Sequence, residues 1–133
     1  MPGLATTIEH NGHQTTISVF DSECPSRLTL DLIADKWAVL VIASIHEGVN
    51  RNGAMLRRID GISQKMLTQT LRRLERDGLV SRTAFNEIPP RVEYALTPIG
   101  ESLRPLVVSL CQWAIANVAA VMEARHRFDD DRS

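Results

Sequence analysis

Between Ser63 and Gly78 the chain separates two faces of one helix more cleanly than anywhere else along its 133 residues. At 100° per residue, Leu67, Leu71 and Leu74 fall at i, i+4 and i+7 and make an apolar stripe flanked by Met66 and Thr70. Lys65, Gln69, Arg72 and Arg76 form the opposite stripe, with Gln64, Thr68 and Arg73 at its borders. Ser63 suits the N-cap, where its hydroxyl can accept from an unpaired backbone N–H, and Gly78 suits the left-handed stop. The spacing therefore predicts a helix over 64–77 that lays its leucines on a core and holds a row of long cationic and amide side chains away from it.

The flanking segments predict what carries that helix. Pro25, favoured at a first helical position, opens a helix with Leu28, Leu30, Leu32 and Ile33 that ends near Asp35. A second helix runs from Lys36 to a stop at Gly48; with Trp37, Leu40, Val41, Ile42, Ala43 and Ile45 it is apolar nearly all round, as a central buried helix is. A short third helix, Ala54 to Ile59, stops at Asp60-Gly61 and leads directly into the polar-faced one. Two strand-like runs follow, Leu79 to Phe85 and Arg91 to Leu96, about a stiff tip of Asn86 to Pro90. Thr97 and Pro98 then open a long last helix to about Ala124, with Pro105 expected to kink it or mark a late start. The fold class is mainly α with a small β-hairpin wing, a winged helix-turn-helix. Residues 1–22, which show no sustained periodicity, are expected to be a flexible arm or a strand borrowed by a partner, 23–124 the domain, and 125–133 a tail, disordered over Asp129 to Asp131.

Charge sharpens the reading. Residues 51–91 carry nine basic side chains (Arg51, Arg57, Arg58, Lys65, Arg72, Arg73, Arg76, Arg82, Arg91) against four acidic ones (Asp60, Glu75, Asp77, Glu87), although the whole chain is at −1. A basic middle in an acidic frame suits a polyanion, or is simply a solvated surface. Gln and Lys near a helix N-terminus can reach base edges in a major groove, which makes Gln64, Lys65, Thr68 and Gln69, with Ser63 at the cap, the candidate readers. Arg72, Arg73 and Arg76 suit phosphates; Arg51 and Arg91 suit flanking phosphates or a minor groove. The bland alternative is that these arginines solubilise a helix and pair with Glu75.

Other functions lack a constellation. No glycine-rich phosphate loop, metal set or nucleophile with its base is present, so neither an enzyme nor a cofactor is expected, and His10 and His13 have no further ligand at metal spacing. A winged helix used only for protein contact is the alternative, but its outer face would carry aromatic or Met anchors. A ligand pocket beside the last helix, lined by His46 and Trp37, is compatible with DNA binding. No apolar run of membrane length and no secretion signal is read, so a cytoplasmic protein with no membrane partner is expected.

Three segments, CPSRLTLDLIADKW (24–37), GISQKMLTQTLRRLERDGLVSR (61–82) and PPRVEYALTPIGESLRP (89–105), resemble the HxlR-type regulators, a branch near the MarR group. The resemblance spans Cys24 to about Trp113. It implies a homodimer through the first and last helices, whose two recognition helices enter successive major grooves of a pseudo-palindromic double-stranded operator about 34 Å apart. It also implies regulation by repression or activation, with an oxidant, electrophile or small ligand as possible effector. Two departures stand out: the arm before Cys24 is longer than the family core needs, and Gln64 stands where a proline often begins the recognition helix. Members of the family sense oxidants, quinones or aldehydes through a cysteine matching Cys24. A helix N-terminus favours thiolate there, Asp21 and Glu23 oppose it, and a packed, inert thiol is the other reading. Cys111, amid Leu110 and Trp113, reads as core or dimer interface, and a disulfide between the two cysteines stays open.

Overall fold

The computed structural model describes residues 3–20, 22–23 and 25–132; Cys24 lies outside them. Helices α1 (Pro25–Ile33), α2 (Lys36–His46), α3 (Asn52–Arg58) and α4 (Gln64–Arg76) precede a hairpin of β3 (Val80–Phe85) and β4 (Arg91–Leu96) and a last helix α5 (Pro98–Arg132). The winged helix-turn-helix order is thus the observed one, each boundary of α1 to β4 lying within two residues of expectation.

The core sits where α2, α3 and α4 meet, around Val41, Ile42, Met55, Leu67, Leu71 and Leu74, all essentially without solvent contact. α2 is central because its apolar residues surround it, as its sequence demands. Asp35 ends up capping α2, its Oδ1 accepting from Trp37 N at 2.8 Å, which is why α1 stops before it. Gly78, at φ +76, releases the chain into the wing, whose strands pair antiparallel from Val80↔Leu96 to Phe85↔Arg91. Tyr94 N donates to Asn50 O at 2.9 Å, so the turn before α3 lies against β4.

α4, wing and α5 are joined at one point. Thr97 Oγ1 donates to Gly78 O at 2.5 Å and accepts from Gly100 N at 3.1 Å, capping α5. Gly100 is there because nothing larger fits: a Cβ on it would stand 2.0 Å from Leu79 O. Arg104 braces the next turn, meeting His46 Nδ1 at 2.8 Å and binding Glu101 through two hydrogen bonds that hold that carboxyl below its ordinary range.

Three expectations are corrected. Ala5–His10 and His13–Ser18, part of the expected arm, pair as a hairpin, β1 and β2, turning on Asn11 and Gly12 at φ 52 and 77. Asn-Gly is the dipeptide that tolerates two successive positive φ values, and it was legible. Arg27 Nη1 ties this hairpin to α1 through Val19 O and Phe20 O, each at 3.3 Å. The tail from 125 to 132 is helix, α5 continuing unbroken through Pro105 to Arg132, with Glu123 paired to Arg127 and Arg132 over the Phe128 ring. Finally, residues 105–122 carry no charged side chain, and an 18-residue window of α5 reaches mean hydropathy 1.7, long and apolar enough to cross a membrane by length and composition. Of that helix Val107 is buried and Leu103 and Cys111 pack on the core from the same face, while most of the rest of the apolar stretch stays in solvent.

Candidate nucleic-acid interface

α4 presents the face its sequence promised. Ser63 Oγ accepts from Met66 N at 3.0 Å, fixing the first turn, and the leucine stripe is buried on α2. Gln64, Lys65, Gln69, Arg72 and Arg76 are all exposed, with Thr68 half-buried at the border. Gln64 Nε2 donates to Thr68 Oγ1 at 3.0 Å, so two of the candidate readers hold one another in place before any ligand arrives. Among the described residues, no carboxylate lies within 4 Å of Lys65, Arg72 or Arg76. The bland alternative of pairing with Glu75 is therefore not realised. A row of unneutralised donors on a rigid, capped helix can accept a polyanion without first breaking ion pairs.

The remaining candidates are engaged elsewhere. Arg73 donates to Asp35 Oδ2 at 3.0 Å, using the carboxylate that caps α2 and so binding α4 to α2. Arg51 meets Glu93 at 3.2 Å; Arg91 meets Glu87 at 3.2 Å and Glu93 at 3.6 Å and stacks on Phe85, 3.9 Å from the ring centre. Arg91 Nε is buried without a hydrogen-bond partner, which marks a side chain held by stacking and ion pairs around it. The structure thus gathers Gln64, Lys65, Thr68, Gln69, Arg72 and Arg76 on one face and assigns Arg51, Arg73 and Arg91 to internal contacts. Sequence reasoning gave Arg82 no role, yet it lines a cleft with Arg72; only the register that sets it opposite Tyr94 could have found it.

A cavity of about 490 Å³ lies between α2, the end of α3 and α5, with His46, Leu40, Val108 and half-buried Cys111 in its wall. Trp37 is not in that wall; it packs on the core beneath Lys36 Nζ, 4.2 Å away.

A polar-faced helix after a tight turn, presented beside a β-hairpin, is the winged helix-turn-helix arrangement that DNA-binding regulators of transcription use. The comparisons with known proteins say which kind. The model of the HxlR-like helix-turn-helix family matches residues 32–122, and the chain belongs to that family. The uncharacterized HTH-type transcriptional regulator YtfH of Escherichia coli (strain K12) is 40% identical over 108 residues, covering 81% of this chain and 86% of its own. The solved structure of the putative transcriptional regulator ytfH from Salmonella typhimurium superposes with a TM-score of 0.75 at 36% identity, over 82% of this chain and 97% of its own. That of the redox regulator HypR in its reduced form gives a TM-score of 0.66 at 36% identity, over 74% and 98%.

Proposed function

We propose that the chain acts as a homodimer on a pseudo-palindromic operator, each α4 entering one of two successive major grooves. Gln64, Lys65, Thr68 and Gln69 read base edges near the helix N-terminus, and Arg72 and Arg76 hold phosphates. Arg51, Arg73 and Arg91 serve the same interface indirectly by bracing the wing and the seat of α4. The observation that carries this reading is the exposed stripe of Lys65, Gln69, Arg72 and Arg76 without a carboxylate partner among the described residues. In this reading the dimer uses the apolar side chains that α5 leaves in solvent, Leu106, Leu110 and Trp113 foremost, together with α1.

Regulation by an oxidant or electrophile at Cys24 is part of the proposal, supported by the likeness to a redox regulator, HypR. The protein then works in the cytoplasm, where a thiol rests reduced until challenged. The test is affinity for a duplex from the gene's own upstream region, against random duplex, across a salt series with and without diamide. Tight, salt-steep, selective binding lost on oxidation in the wild type but not in Cys24→Ser is the expected result. Failure to bind any duplex at low salt would replace it with the protein-interaction alternative.

A further inference from the structure

Arg82 belongs to the basic middle of the chain and lines a cleft with Arg72. It stands exposed on β3 opposite Tyr94 of β4, with no carboxylate within 4 Å among the described residues. The two strands, the first turn of α3 and the outer face of α4 converge there on a cleft of about 380 Å³ lined by Asn52, Thr68, Arg72, Glu75, Arg82 and Tyr94. Every lining residue is polar or, in Tyr94, ends in a hydroxyl. Two guanidinium groups and one carboxylate leave a single formal positive charge, while the amide and the hydroxyls add neutral donors. The bond from Tyr94 N to Asn50 O sets Asn52 and Tyr94 into place through the backbone.

A second cleft, at the wing tip, shows what makes this one different. It is larger, about 530 Å³, and holds Arg51 and Arg91, but Glu87 and Glu93 already neutralise both. At the Arg72–Arg82 cleft no such pairing has formed, although Glu75 stands in the same wall.

We propose that this cleft seats one backbone phosphate of the bound duplex, clamped between recognition helix and wing by Arg72 and Arg82, with Asn52 and Tyr94 donating beside them. The proposal rests on the reading of α4 as a duplex-binding helix. One phosphodiester carries the single negative charge the cleft lacks, and two planar guanidinium forks suit its paired oxygens. Because it grips helix and wing together, the clamp sets how deep α4 sits in the groove, and it carries no sequence information.

Arg82→Gln, Arg82→Lys and Glu75→Gln separate the possibilities, measured against the wild type on upstream and random duplexes across salt. Arg82→Gln is expected to weaken both duplexes by the same factor, about ten-fold, and to flatten the slope of log K against log salt by about 0.9 per protomer engaged. Arg82→Lys keeps that slope, Glu75→Gln tightens both duplexes, and all three melt as the wild type does. A duplex with one phosphate replaced by methylphosphonate, moved stepwise along the site, weakens the wild type at one position in each half-site and weakens Arg82→Gln less at that same position, where Arg72 alone still holds the charge. An unchanged slope in Arg82→Gln, with wild-type binding intact, overturns the clamp and leaves the DNA-binding reading standing. A loss confined to the upstream duplex overturns it too, by making Arg82 a base reader. If the wild type binds no duplex, the clamp falls with the reading beneath it.

Discussion

α4 and α5 each leave a long face in solvent, and the two faces are opposites. α4 buries Leu67, Leu71 and Leu74 and exposes cations and amides; α5, 35 residues long, buries only Gly100 and Val107 and exposes Leu106, Leu110 and Trp113 along one side. Water satisfies a lysine or an arginine, so the face of α4 is stable while it waits for a ligand. Water does not satisfy a row of leucines beside a tryptophan, and an apolar face of that size on one helix calls for a standing partner. The contrast predicts a difference of timing: the face of α4 suits a partner that comes and goes, and that of α5 one that stays.

The comparison breaks first, and with the largest effect, at α5. Leu110→Glu with Trp113→Glu changes two exposed side chains and leaves the core of one protomer untouched. Sedimentation should show a monomer, and affinity for a two-half-site duplex should fall by about 100-fold or more, because the second recognition helix no longer arrives with the first. A dimer of unchanged affinity would remove α5 from the interface. The next largest effect falls where the two helices are joined. Gly100→Ala forces a methyl against Leu79 O, and denaturant unfolding should show a loss of about 3 kcal/mol. A near-neutral result would mean that the junction between wing and α5 yields easily.

Within α4 the contrast can be sharpened at two positions three residues apart. Arg72→Ala should weaken binding to every duplex by about ten-fold and flatten its salt dependence. Gln69→Ala should cost about 1–3 kcal/mol on the operator alone and relax preference at one base pair. Equal losses for both variants on both duplexes would erase the division between phosphate holders and base readers.

What the sequence disclosed and what it withheld follow from the range of the interactions. α4 was legible to the residue at its start, because a 3.6-residue period with a serine cap is a local signal. The hairpin at Ala5–Ser18 was just as local, but its strands are mostly polar, with threonines beside Ile8 and Ile17, and weak apolar alternation hid a clear Asn-Gly turn. α5 beyond Ala124 was missed because charged, polar composition reads as tail, whereas Glu123–Arg127 and Phe128–Arg132 are contacts made only once the helix exists. The division of labour among the arginines was out of reach for a different reason. Arg51 meets Glu93 across 42 residues and Arg73 meets Asp35 across 38, and no periodicity links such partners.

That division supplies the smallest expected effect. Arg72 and Arg73 are adjacent in sequence, about 100° apart around the helix, and the turn between them carries one toward the cleft beside the wing and the other toward α2. Arg73→Ala removes an ion pair whose side chains are 50% and 27% exposed, so solvent screening holds the loss to about 1 kcal/mol or less of folding stability. Asp35 keeps its second task, capping α2, and the helix stays intact. Affinity for random duplex at fixed salt should stay within about two-fold of the wild type, since little of the Arg73 charge was free to meet a phosphate. A drop in affinity as large as that of Arg72→Ala, with folding stability unchanged, would mean that DNA draws Arg73 away from Asp35, and the stable seat assigned to α4 would itself be part of the moving interface.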